Sequence, residues 1–258
     1  MLSVKIKSVS CHTKQIARSG LYVLISGVLL ACGGGGTPAR AKPLRALVFT
    51  KTTGYRHASI ADGVRAIKRL GSTHGFHVDT TADAAKFNRE SLARYDVVIF
   101  LSTTGTPIAE RSQQDAFERY IRAGGGFFGI HAASDTRGKW PWYDRLVGAR
   151  FKRHDPGVST RTVTVEDRTS AATRGLPAAW RRTDEWYEFR ANPRGSVHVL
   201  ASLGAGRALA WCHDYDGGRA VYTAMGHTRA SFREPRYLAH LLGAIEMAAG
   251  RARFDCAA

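Results

Sequence analysis

Gly124-Gly-Gly-Phe-Phe-Gly-Ile-His-Ala-Ala-Ser-Asp135 is the stretch that decides how this chain folds. Its glycines end a helix, Phe127 to Ile130 read as a short buried strand, and the small residues beyond predict a tight turn. A strand running sharply into a turn is where a nucleophile elbow sits in α/β enzymes, and the residue at this elbow is His131. An imidazole there, in place of serine or cysteine, argues against acyl-enzyme chemistry of the usual kind.

Upstream, residues 44–50 form an apolar run rich in strand formers, and residues 59–70 carry Ile60, Val64, Ile67 and Leu70 at helical spacing. Further strands are expected at 76–80 and 96–102, with a helix over 108–123. This β-α-β rhythm predicts a parallel sheet with helices on both faces. The second half reads differently. Residues 158–166, 196–201, 207–212 and 219–225 have the look of antiparallel strands, the last two joined by a hairpin through Asp216-Gly-Gly218. A helix over 235–249 closes the chain, so one α/β domain with a mixed sheet is expected.

Ligands of open α/β sheets bind at the carboxyl ends of strands. Three histidines fall there: His57 after the first strand, His131 after the fourth and His227 after the last. Imidazole suits proton transfer at neutral pH and metal ligation, so all three are candidate metal ligands, and His131 with His227 a candidate acid–base pair. No HExxH or similar close-spaced pair supports a metal independently. In Asp184-Glu-Trp-Tyr-Glu-Phe189, Glu185 and Tyr187 share a face if the segment is extended, and rings beside carboxylates suit sugar binding. A half-buried strand accounts for the same pattern.

The N-terminus carries an address. Lys5, Lys7, Lys14 and Arg18 precede an apolar run at 21–31, too short to span a bilayer but suited to a signal peptide. Leu29-Leu-Ala-Cys32 has the form of a bacterial lipobox, with Cys32 as the lipid attachment point; an ordinary secretory signal cut near Ala31 is the alternative. The expected organisation is a leader at 1–31, a glycine-rich tether at 32–43, the α/β domain at 44–250 and a tail at 251–258. Such a protein is exported and anchored to the cell envelope, with the membrane as a partner.

The 258 residues include 38 Lys plus Arg against 21 Asp plus Glu, a formal net charge of +17. The cations are dispersed, with no zinc-finger spacing and no Walker A motif, so a solvated basic surface is expected rather than a nucleic-acid partner. Outside the leader and Cys32, two cysteines remain. Cys212 lies in an apolar run where a buried, inert thiol is the usual case, and pairing with Cys256 is left open.

Several of these segments together resemble the trehalose-utilisation (ThuA-like) family. The matching stretches are Gly54-Tyr-Arg-His-Ala-Ser-Ile60, the elbow segment through Thr136, Trp140-Pro-Trp-Tyr-Asp-Arg-Leu-Val-Gly-Ala-Arg-Phe151, Asp184-Glu-Trp-Tyr187, Ala210-Trp-Cys-His213 and Gly218-Arg-Ala-Val-Tyr-Thr-Ala-Met-Gly-His227. They run in order across about residues 44–249. The resemblance implies a flavodoxin-like, class I glutamine amidotransferase-like three-layer sandwich with a mostly parallel sheet and antiparallel additions. It places His57, His131, Glu185, Tyr187, His213 and His227 in the family's motifs. In this reading His131 and His227 are catalytic, while His57, Glu185, Tyr187 and His213 bind a small carbohydrate or keto-sugar. Histidine at the elbow puts glutamine hydrolysis out of reach. A divalent metal cofactor and a non-catalytic sugar-binding or scaffold module both remain open.

Overall fold

Val97-Val-Ile-Phe-Leu101 is apolar at every position and buried at every position, which demands a covered strand in the interior of a sheet. In the computed structural model, which describes residues 42–136, 138, 140–204 and 206–256, this strand is β3. It pairs in parallel with β1 (Arg45–Phe49) on one side and β4 (Gly126–Ile130) on the other. β2 (His77–Thr81) extends the parallel part beyond β1. The leader, Cys32 and the glycine tether lie outside the described residues.

Helices cross between these strands. α1 (Ile60–His74) buries Ile60, Ala66 and Ile67, with Val64 and Leu70 packed at the margin as their spacing requires. Gly71 lets α1 approach the sheet, since a Cβ there would lie 2.7 Å from the Phe76 carbonyl. α2 (Arg89–Leu92) is a single turn, and α3 (Arg111–Arg122) begins three residues later than its sequence pattern suggests. Ile108 is nevertheless buried, in an extended lead-in. A 3-10 turn at His131–Asp135 follows β4, and α4 (Pro141–Val147) follows that.

The second half adds β5 (Phe151–His154), β6 (Ser159–Val165), β7 (Ala179–Asp184), β8 (Tyr187–Phe189), β9 (His198–Leu203), β10 (Arg207–Tyr215), β11 (Gly218–Thr223) and α5 (Pro235–Ala248). The main sheet has nine strands in the order β2-β1-β3-β4-β11-β10-β9-β6-β7, while β5 and β8 form a separate two-stranded ribbon. This is the α/β architecture expected, with a correction at β11. That strand is antiparallel to β10 through the expected hairpin but parallel to β4, because the chain returns it to the centre of the sheet. β11 is thus where the parallel half meets the antiparallel half.

Cys212 is not a free thiol. It forms a disulfide with Cys256, their Cα atoms 5.4 Å apart. Both residues are almost fully buried. After α5 the chain returns along the sheet, with Ala252 and Phe254 packed on the core, so residues 251–256 are fastened rather than loose. A spacing of 44 residues carries no trace of this proximity.

Candidate functional site

His131 occupies the elbow at φ +52°, in the left-handed region that an L-residue seldom adopts. Ser102, at the neighbouring end of β3, has φ +48°, and its N–H donates to the carbonyl of Ile130. The turn is held from beneath. Tyr222 Oη donates to the His131 carbonyl at 2.7 Å, and Tyr143 Oη to that of Ala133 at 2.9 Å. His131 Nδ1 lies 2.7 Å from the Ala224 carbonyl, which can only accept, so Nδ1 carries the proton and a neutral ring presents Nε2 as a bare lone pair.

His227 reaches the same point from the loop after β11. Gly226 makes the turn at φ +115°, where a Cβ would also collide with the Tyr237 hydroxyl. His57 arrives from the loop after β1, and the hydroxyl of Ser59 donates to the Gly226 carbonyl at 3.2 Å, tying the two loops together. The His57 ring stands edge-on to His131 and His227, with centroids 4.8 and 5.2 Å away. Glu185 comes from the far half of the chain. Its Oε2 is 3.4 Å from His131 Nε2 and 3.2 Å from His227 Nδ1, and those two nitrogens are 3.2 Å apart. One potential ligand atom from each of His57, His131, Glu185 and His227 lies within 4.8 Å of every other.

Electrostatics follow from this crowding. Burial, and then the neighbouring His131 and His227, lowers the His57 pKa to about 3, leaving a neutral ring. For Glu185, burial opposes ionisation, but the adjacent His131 and His227 outweigh it and hold the carboxyl well below its usual range. The hydrogen bond to Glu185 raises the pKa of His227. The cluster is nearly closed: His131 is 0% exposed, His57 5% and Glu185 6%, so His227 is its one appreciably open member. Any ligand larger than that cluster meets His227 first; only something the size of an ion or a single oxygen fits among all four.

Tyr187 backs the cluster, its ring 4.3 Å from that of His131 and 4.4 Å from Phe151. It does not share a continuous strand with Glu185, because β7 ends at Asp184 and β8 begins at Tyr187. Trp186 between them points into the core and donates to the Ser159 carbonyl, so it offers no sugar platform. His213 is not brought to the cluster. It pairs with Ala220, which pairs with Phe127, four residues before His131. It therefore lies about 13 Å along the strand from the cluster. There its Nε2 donates to the Arg145 carbonyl at 3.1 Å, and burial lowers its pKa. His240, inside α5, is a buried core residue whose Nδ1 donates to the Ala172 carbonyl.

Three residues near the site escaped the sequence reading. His154 Nδ1 lies 3.3 Å from Glu185 Oε1. Tyr55, 68% exposed, sets its ring 4.8 Å from that of His57. Asp184, wholly buried, accepts from the N–H groups of Glu185 and His227 through Oδ1 and from Gly226 N–H through Oδ2. Asp184 adjoins Glu185 in a quoted motif, yet its partners Gly226 and His227 come from a loop more than forty residues away and leave no local signal.

The family model described as ThuA, trehalose utilisation, matches residues 45–248. Among solved structures, a ThuA-like protein from Bacteroides uniformis is 26% identical, covering 82% of this chain and 96% of that one with a TM-score of 0.67. A ThuA-like protein from Parabacteroides merdae shares the fold at 23% identity, covering 81% and 90% of the two chains with a TM-score of 0.65. A β-galactosidase from Bacillus circulans contains the same fold at 17% identity, with 81% of this chain on 31% of that one and a TM-score of 0.54. No curated protein matches the chain.

Proposed function

The chain belongs to the ThuA, trehalose-utilisation, family, and from that premise we propose that it is an exported, lipid-anchored protein acting on a carbohydrate or keto-sugar at its histidine–glutamate cluster. The observation that carries the reading is the convergence of His57, His131, Glu185 and His227, from four distant segments, within 4.8 Å of one another. Packing a core does not require a carboxylate against two imidazoles, and most of the surface around them is closed. His227 is the member a sugar touches, Tyr55 offers an exposed ring at the margin, and His131 and Glu185 fix the inner wall. A sugar oxygen drawn to His227 becomes the reacting atom. His131 at the elbow supplies no acyl-enzyme nucleophile, which favours proton transfer or polarisation at that oxygen.

The test is a panel of disaccharides, monosaccharides and their 3-keto derivatives. Binding is read by thermal shift and consumption by product analysis, for the wild type, Glu185→Gln and His227→Ala. One sugar class should stabilise the wild type and be consumed, with turnover falling about 10²–10⁴-fold in the variants. Binding without consumption would replace the enzyme with a binding module, and no response to any sugar would overturn the reading. Export and anchoring are tested apart, through Cys32→Ser, which should abolish fatty-acid labelling and release the protein from the membrane fraction.

A further inference from the structure

We infer that His57, His131, Glu185 and His227 form the binding site of one divalent transition-metal cation, with zinc the expected occupant. His131 Nε2, His227 Nδ1 and Glu185 Oε2 make a nearly equilateral triangle with edges of 3.2, 3.2 and 3.4 Å. A point equidistant from three such atoms in their own plane is about 1.9 Å from each, so a cation with bonds of about 2.0–2.1 Å sits slightly above that plane. Those edges match one face of a tetrahedron around zinc, whose ligand atoms are about 3.3 Å apart. His57 supplies the fourth corner, since one of its ring nitrogens falls within 4.8 Å of the other three ligand atoms.

Two further observations point to a ligand at this spot. His57 is 5% exposed, and its Nδ1 is buried with no hydrogen-bond partner. A buried imidazole nitrogen left unpaired is costly unless something occupies the space before it. The second is the support behind His131, whose Nδ1–H donates to the Ala224 carbonyl at 2.7 Å. A metal-binding histidine typically gives its other ring N–H to such an acceptor, which fixes the tautomer and turns the lone pair inward. With no proton between them, His131 Nε2, His227 Nδ1 and Glu185 Oε2 are three lone-pair donors pressed together, and a cation takes the place of the proton that His227 otherwise shares with Glu185. Three imidazoles and one carboxylate, without thiolate, select zinc or a neighbouring first-row ion over calcium or magnesium.

The geometry of the cluster carries the metal assignment. That a sugar oxygen is what approaches the cation, past His227, rests on the sugar reading above. Protein purified without a histidine tag, stripped with chelator and dialysed against Zn²⁺, should retain about one equivalent and melt at a higher temperature than the stripped form. Cobalt in the same site should give the visible spectrum of a four-coordinate ion with nitrogen and oxygen ligands. Glu185→Gln and His227→Ala, the second at a partly exposed position, should each weaken zinc uptake at least tenfold with circular dichroism unchanged. His74→Ala, on the exposed end of α1, should keep the full equivalent.

Wild-type protein that retains no zinc, or folded variants that bind it as tightly as the wild type, would overturn the assignment and return the cluster to a proton-transfer pair. Sugar binding measured on the stripped and zinc-loaded forms separates the two proposals. Zinc uptake without any sugar response leaves the metal site standing and removes the sugar reading. A sugar response in the stripped form of a protein that takes up no zinc does the reverse.

Discussion

Asp184→Ala is expected to be among the most damaging single substitutions in the molecule. Asp184 is wholly buried, and its Oδ2 accepts from Arg182 Nη2 at 2.9 Å, Gly226 N–H at 2.8 Å and Ser231 Oγ at 3.2 Å. Oδ1 accepts from the N–H groups of Glu185 and His227, both at 3.0 Å. Arg182 is equally buried, its guanidinium 4.7 Å from the ring of Trp180 and 4.4 Å from that of Tyr237. Removing one partner of a buried ion pair strands the other charge, at a cost of about 3–5 kcal/mol. Glu234, 3.5 Å from the same Arg182 nitrogen, recovers part of this, while three orphaned backbone N–H groups add to it. For a domain of this size, such a loss lowers Tm by about 6–20 °C.

Urea denaturation of wild type, Asp184→Ala and the double variant Arg182→Met/Asp184→Leu measures the effect. The double variant, which removes both charges, should recover much of the stability but not the site, because the loops bearing Glu185 and His227 remain untied. A loss below about 1 kcal/mol in Asp184→Ala, against the cost of stranding a buried charge, would refute the reasoning. So would a double variant that restores zinc or sugar binding along with stability.

Cys256→Ser should cost about 2–4 kcal/mol, because the Cys212–Cys256 bond closes a long loop in the unfolded chain; a reductant should destabilise the wild type similarly and leave the variant unchanged. Asp167 should contribute to acid sensitivity. Burial pushes its pKa up, but hydrogen bonds with Thr169 and His198 outweigh this and hold it at about 2, against an ordinary 3.8. Because the folded value is the lower one, its stabilisation is complete above pH 3.8 and is lost as pH falls toward 2. With His198 about a third exposed, the effect is on the order of 1 kcal/mol, and His198→Ala should reduce the dependence seen in denaturation at pH 5 and pH 2.5. Tyr55→Ala should weaken sugar affinity roughly fivefold with Tm unchanged, since a stacking ring at an exposed position contributes about 1 kcal/mol and packs little of the core; equal affinity would remove Tyr55 from the site.

Sequence by itself determined the parallel half of the sheet and three corners of the site. Runs such as Val97 to Leu101 and Phe127 to Ile130 are too apolar to lie anywhere but inside, and helices of matching period between them leave a parallel sheet as the natural packing. Because parallel strands all end on one edge, placing His57, His131 and His227 after strands was enough to bring them together. Tertiary structure alone decided what that edge does with them. The direction of β11 depends on which strand it joins in space, and hairpin chemistry constrains its relation to β10 only. His213 and His57 look alike in sequence, yet β10 runs antiparallel to the strands before it, so His213 lies toward the opposite edge of the sheet, hydrogen-bonded to Arg145. Glu185 reaches the imidazoles because the chain breaks between β7 and β8, and Asp184 clamps that break to the loop of His227. Contacts of this kind join residues more than forty positions apart, as the Cys212–Cys256 bond does. Local propensity falls silent at that range, since it records what each segment prefers and not which segment it meets.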